Sequence, residues 1–308
     1  MSEAGDLIVH ERPELKSPRM VVAFGGWPDA AAVATKTVSS LVEQLGATRF
    51  AEIPGDDFYS PAVLRPTTSI KNGRVESLTY PTNQLHYWRN PGDSGDLIFM
   101  AGIEPHLHWN RYLAALMTVA SDLGVTVLYS LGGLYDNVPH TRPVRISAVV
   151  EDEGIRGRLA GLGVIFTEYE GPSSLHTALL VECRNRGIPT ASLWGHSPSY
   201  AQLSWNPRVS AALAAILARL LEIEVDLEPL RVSAGYLDEA LDKLARQNPQ
   251  VRALISRFEE SYGAAPEPSQ SLPPISESIV SEIEEILRRG EGTPDEGEGS
   301  SPDNEPEG

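Results

Sequence analysis

Each thing this sequence is short of removes a class of explanation. One cysteine, Cys183, in 308 residues leaves no internal disulfide and no multi-cysteine metal site. No apolar run approaches the ~18 residues of a membrane helix, so no membrane is expected as a partner. The amino end, MSEAGDLIVHERPELK, has no basic start followed by an apolar stretch and does not read as a secretory signal. Bases are outnumbered 25 to 42, a net charge of −17. Nucleic acids and anionic membranes both want basic surface, so no nucleic-acid partner is expected either. Residues 291–308 hold seven acids and no base, so part of the acidity belongs to a low-complexity tail expected to be disordered. Neither a G-x-x-x-x-G-K-[ST] loop nor a G-x-G-x-x-G fingerprint occurs, which removes the commonest phosphate cradles. What is left is a cytoplasmic protein with 41% apolar residues, enough for a sizeable core.

The pattern that is present repeats. An amphipathic helix ends at a glycine, and a short β-branched run follows. The first helix is expected over 29–45, with Ala34, Val38, Leu41, Val42 and Leu45 on one stripe before Gly46. The second is expected over 106–123 before Gly124, and the third over 172–186 before Gly187. A glycine just past a helix supplies a left-handed C-terminal cap. The runs VVAF, DLIFMAG and VTVLYSLG are apolar on both faces, so helices should cover both sides of the sheet. This is an α/β layered domain with a mostly parallel sheet. TTSIKNGRVESLTY places Asn72-Gly73 between two β-prone runs, the signal of a tight hairpin. With QLHYW it reads as an antiparallel insertion or edge.

The domain plan expected is an N-terminal segment (1–17), an α/β core (18–228) and a C-terminal helical hairpin (229–262) joined near Asn248-Pro249. A proline-rich linker (263–274), a short amphipathic helix (275–289) and the acidic tail (290–308) follow. Asn206 and Pro207 open a further helix over 207–221, as N-cap and first-turn proline.

In open α/β sheets, ligands gather beyond the carboxyl ends of the parallel strands, so the candidate site residues come from those loops. After VVAF, Gly25 and Gly26 allow close backbone approach, and Asp29 reads first as a helix cap and second as an orienting carboxylate. After DLIFMAG come Glu104, His106 and His108. The histidines are two apart, whereas a helical metal pair wants four, so no metal is expected. After VTVLYSLG, the proline-flanked loop GLYDNVPHTRPV carries His140 and Arg142. Arg142 reads equally as an anion clamp or as a structural partner of an acid. Ser173 or Ser174 reads as a cap, since the pair does not complete G-x-S-x-G. Trp194 and His196, after IPTASL, are pocket-lining or interface residues. Cys183 is expected in the core, and no cofactor is implied.

Taken together, FGGWPDAAAVAT, EIPGDDFY, RP, EPHLHWN, LGGLYDNVPHTRP, YEGPSSL and SLWGHSP resemble the bacterial branch of the proteasome assembly chaperone 2 family, in its order and with similar gaps, over about residues 18–262. The resemblance implies a phosphorylase/hydrolase-like core, a small C-terminal helical hairpin and homo-oligomers. Related archaeal and eukaryotic proteins are assembly chaperones or proteasome-associated factors. Members that dock on the proteasome often end in a hydrophobic-Tyr-any tripeptide. The residues here end Asn304-Glu305-Pro306-Glu307-Gly308, so docking of that kind is not expected. Two functions follow: a non-enzymatic assembly factor or scaffold, with apolar patches near Trp88, Trp109 or Trp194, and, alternatively, a hydrolase- or nucleosidase-like enzyme or small-ligand binder. In the second, Arg142 is the anion clamp, His140 the acid/base, and Asp29 or Glu104 orient.

Overall fold

A computed structural model describes residues 5–262 and positions 281, 284 and 285. Apart from those three positions, the expected linker, terminal helix and acidic tail lie outside the described residues. In chain order the elements are β1 (Ile8–Val9), β2 (Arg19–Gly25), α1 (Val33–Gln44), β3 (Thr48–Pro54), β4 (Thr67–Lys71), β5 (Arg74–Thr79), β6 (Thr82–Trp88), β7 (Leu97–Ile103) and α2 (Trp109–Asp122). There follow β8 (Val127–Asp136), β9 (Ile146–Val150), α3 (Glu153–Gly161), β10 (Ile165–Phe166), α4 (Leu175–Asn185), β11 (Thr190–Pro198), α5 (Pro207–Leu221), α6 (Glu228–Gln247) and α7 (Pro249–Ser261).

Nine strands make one sheet in the order β1-β3-β6-β7-β2-β8-β11-β9-β10. Its centre, β7-β2-β8-β11, is parallel throughout; antiparallel β6 and β9 flank it. Alternation along β2 shows why both faces are covered. Met20, Val22 and Phe24 pack under α2 and α4, while Val21 and Ala23 pack under α1, α3 and α5. A third, smaller cluster joins Tyr200, Ala201 and Leu203 to the inner faces of α6 and α7. The glycines expected as helix caps, Gly46, Gly124 and Gly187, stand at φ of +62°, +68° and +68°. Asn206 accepts the Val209 N–H at 3.2 Å and caps α5, and Asn248 caps α7 through Gln250 N–H at 3.0 Å. No helix of the described residues is long and apolar enough to cross a membrane.

The hairpin takes both forms foreseen. β4 and β5 pair only with each other, and β6 joins the main sheet as an antiparallel member. Two strands run longer than their patterns suggest. Gly132, Gly133, Tyr135 and Asp136, expected in a loop, continue β8, and His196 to Pro198 continue β11. The glycines are there for room rather than for a turn. A Cβ on Gly132 would stand 2.6 Å from the Trp194 ring, and one on Gly133 would stand 2.5 Å from Val33 Cγ2. Trp88, Trp109 and Trp194 are only half-exposed. The most exposed aromatics among the described residues are instead Trp27 (65%) and Tyr169 (70%), followed by Tyr80 and Tyr236.

Candidate functional site

Because β2, β7, β8 and β11 point the same way, their carboxyl ends share one rim, and main-chain bonds tie the loops there. Gly133 N–H donates to Pro28 O (2.8 Å), Glu104 N–H to Gly25 O (2.9 Å), Ser199 N–H to Asp136 O (2.9 Å) and Asn206 N–H to Ala31 O (3.1 Å). The GGWPDA, EPHLHW, VPHTRP and SLWGHSP segments therefore meet, and the candidate residues sort into two groups.

The first group is Gly25, Gly26, Asp29 and Glu104. Asp29 is buried, and its Oδ1 accepts the Ala34 N–H at 2.7 Å, while its Oδ2 accepts the Thr35 N–H at 3.2 Å. It caps α1 from beyond a turn in which Ala31 and Ala32 stand at φ of +53° and +47°. Two successive alanines in the left-handed region cost ~1–2 kcal/mol each. Burial pushes the Asp29 carboxyl up, against the pull of Thr35 and the two N–H donors. Glu104 serves α4 in the same way. Its Oε1 accepts the Leu175 N–H at 2.7 Å, a favourable place for a carboxylate at a helix N-terminus, while burial pushes its pKa up. This corrects the expected serine cap, since Ser174 occupies the N-cap position without a side-chain bond. His106 accepts the Ser60 N–H on Nδ1 (3.1 Å), and His108 opens α2 at φ +57°. Among the described residues, no three His, Cys, Asp or Glu side chains gather as a metal site.

The second group surrounds the VPHTRP loop, and a residue not singled out from sequence, Arg208 of α5, organises it. Arg208 donates to the carbonyl of His140, to the carbonyl of Arg142 (2.8 Å) and to Asp238 of α6 (2.9 Å). His140 is buried. Its Nδ1 lies 2.6 Å from the Tyr200 hydroxyl and its Nε2 lies 3.2 Å from Asp242 Oδ1. Thr141 bonds to Glu259 of α7, and the Tyr262 hydroxyl donates to Pro143 O at 2.6 Å. Arg142 is exposed, and the fold uses its carbonyl rather than its guanidinium. The cavity left between the loop, α5 and α6, lined by His140, Arg145, His196 and Arg208 among others, is about 20 Å³. That is room for about one water molecule.

His196 belongs to an inner network that composition did not reveal. Its Nδ1 lies 2.7 Å from Asp136 Oδ2, and its Nε2 lies 2.8 Å from Ser147 Oγ. Arg145 Nη1 reaches the same Asp136 oxygen at 3.2 Å. Burial works against the Asp136 carboxylate, but His196, Asn137 N–H and Arg145 outweigh it and hold its pKa below the usual range. The connectivity is that of a Ser-His-Asp triad. The setting is not. Ser147 is 2% exposed and lies inside β9, paired to β11 on one side and β10 on the other, so its neighbouring N–H groups serve the sheet rather than an oxyanion. Trp194 lies over Gly132 and meets His176 edge-on at 5.0 Å. His176 has neither ring nitrogen bonded, and burial lowers its pKa to about 3.

A profile of the PAC2 family matches residues 23–245. No curated protein matches the chain. Among solved structures, a PAC2 family protein from Streptomyces avermitilis is 32% identical with a TM-score of 0.70, over 78% of this chain and 99% of that one. A Mycobacterium tuberculosis proteasome-assembly chaperone homologue is 28% identical with a TM-score of 0.64, over 80% and 95%. The archaeal proteasome activator PbaB of Pyrococcus furiosus shares the fold, at 22% identity and a TM-score of 0.62 over 77% and 97%. The loops that build the rim fall inside the matched residues, and the chain belongs to the PAC2 family.

Proposed function

We propose that this protein is a non-enzymatic assembly-chaperone-like or scaffold protein of the cytoplasm. It acts through protein surfaces, forms homo-oligomers and has proteasome subunits as its first candidate partner. The observation that carries the reading is that the rim is filled by its own side chains. Asp29 and Glu104 are spent on helix ends, His140 on Tyr200 and Asp242, and the cavity beside His140, between the VPHTRP loop, α5 and α6, is about 20 Å³, far below the ~300 Å³ of a small-molecule pocket. Outward, the rim presents Trp27 and Leu107 from two of its loops, and the segment that leads from β10 to α4, whose Leu175 meets Glu104 at the rim, exposes Tyr169. Aromatic anchors of this kind suit protein contact. The chaperone homologue and the activator among the related structures point to the partner class.

The test is assembly of purified proteasome α and β subunits with and without the full chain. The expected result is a higher yield of assembled rings, lost in the double variant Trp27→Ser/Tyr169→Ser with its fold intact. An unchanged yield with wild type would sink the proposal. The hydrolase reading rests on the Ser147–His196–Asp136 chain alone. It requires a serine-reactive fluorophosphonate to label wild type and not Ser147→Ala.

A further inference from the structure

Beyond Tyr262 the described residues are Ser281, Glu284 and Glu285, all helical, and one of them comes back to the core. Glu284 Oε1 accepts the main-chain N–H of Ser204 at 3.1 Å, a charge-assisted bond. Ser204 lies in the turn between β11 and α5, two residues before the N-cap Asn206. That turn is anchored on both sides. Leu203 packs in the cluster with α6 and α7, and Asn206 N–H donates to Ala31 O at 3.1 Å in the loop that carries Trp27.

The sequence around Glu284 suits a docked helix. Val280 and Leu287 stand four before and three after it, with Ile279 and Ile283 beside them. At 3.6 residues per turn these four make one apolar face that Glu284 borders, while Ser281 and Glu285, four apart, fall on the opposite side. The exposures agree: Ser281 and Glu285 are exposed, and Glu284 is half-buried. Charge agrees too. Residues 277–285 hold four acids and no base, and the turn's Trp205 has Lys36 Nζ 5.6 Å from its ring centroid. The return path is open. The Tyr262 hydroxyl donates to Pro143 O, and Arg208, four residues after Ser204, donates to the neighbouring Arg142 carbonyl. The chain thus leaves α7 beside the loop that flanks its point of return. The 21 residues between Tyr262 and Glu284, at ~3.3–3.6 Å each when extended, reach it easily.

We infer that residues 275–289 form an intramolecular cap, an amphipathic helix that docks on the Leu203–Trp205 turn through the face of Val280, Ile283 and Leu287, with Glu284 as its polar pin on Ser204. The occupant of this corner of the molecule is the chain's own terminal segment. The inference goes beyond the proposed function and does not depend on a proteasome partner.

The test is residue-resolved hydrogen exchange of the full chain, in wild type, Glu284→Ala and Ile283→Asp/Leu287→Asp. In wild type the amides of 279–288 and of Ser204 should exchange about tenfold or more slower than in an unstructured chain. Ile283→Asp/Leu287→Asp should bring both to the unstructured rate, and Glu284→Ala should speed Ser204. The amides of β2 and β8 should keep their protection in both variants, which shows that the fold is intact. Unstructured rates over 279–288 in wild type overturn the cap. So does a Ser204 amide that neither variant speeds up. Protection that appears only as protein concentration rises means that a second copy's segment fills the turn, and it overturns the intramolecular contact.

Discussion

Buried polar side chains carry most of the distinctive chemistry here. His176 is the clearest case, with a fully buried ring between Phe24 and Trp194 and no hydrogen bond to either nitrogen. The unfolded chain protonates this histidine near its ordinary value of 6.5, whereas the fold holds it neutral down to about 3. Between those values the unfolded state binds the extra proton, so stability is unaffected above the upper value and falls as pH drops toward the lower one. His176→Phe keeps an aromatic ring in the same contacts and removes the titration. Denaturant melts should show the variant losing ~1 kcal/mol per pH unit less than wild type between about pH 6 and 4. Parallel pH profiles would contradict this account. Cys183 shows the complementary case of a titratable group that does nothing further. It is buried as expected from its helix position, and burial lifts its thiol to about 11, far from a reactive thiolate.

The second scale is that of elements, where one loop is held by three helices. VPHTRP is gripped by Arg208 of α5, Asp242 of α6 and Glu259 of α7. Its prolines shape a segment that other elements then lock. Arg208→Ala removes two carbonyl partners and the Asp238 pair at once, a loss of about 1–2 kcal/mol for a half-buried guanidinium whose acid partner is exposed to solvent. Hydrogen exchange should speed up in α6 and α7 well before it does in β2, β7 and β8, because α6 and α7 pack with Tyr200, Ala201 and Leu203 in a cluster separate from the sheet's two. Equal protection in both regions would contradict it. The same scale shows where the sequence was readable. Helices announced themselves through stripes and caps: Asn206-Pro207 and Asn248-Pro249 mark true helix starts. The Asn72-Gly73 turn joins β4 and β5, with both residues at positive φ. Local signals failed where tertiary contact decided. Gly132 and Gly133 resemble a turn but clear space for Trp194 and Val33. The left-handed Ala31-Ala32 turn has no local signature. Short β9, and α3 after it, carry too weak a periodicity to stand out.

For the whole molecule, the parallel order β7-β2-β8-β11 brings distant motifs to one rim, and that convergence could be anticipated from alternation of strand and helix. What the residues do on arrival could not. Asp29, Glu104 and His140 have the chemistry of a site, yet each is consumed by the fold. Arg208 and Ser147, which complete the two networks, are unremarkable in sequence because their partners lie 30 to 68 residues away. The account therefore places function on outward surfaces, above all the exposed Trp27 and Tyr169, and gives the inner Ser147–His196–Asp136 chain the work of bracing β8, β9 and β11 together.

The most direct measurement compares Ser147→Ala with Trp27→Ser/Tyr169→Ser in the same proteasome-subunit assembly assay, after both are shown to be folded. The account predicts that the rim variant loses the stimulation and that the serine variant retains it. Full stimulation by the rim variant, with none from Ser147→Ala, would mean that the buried hydroxyl acts chemically and that the surface reading is wrong.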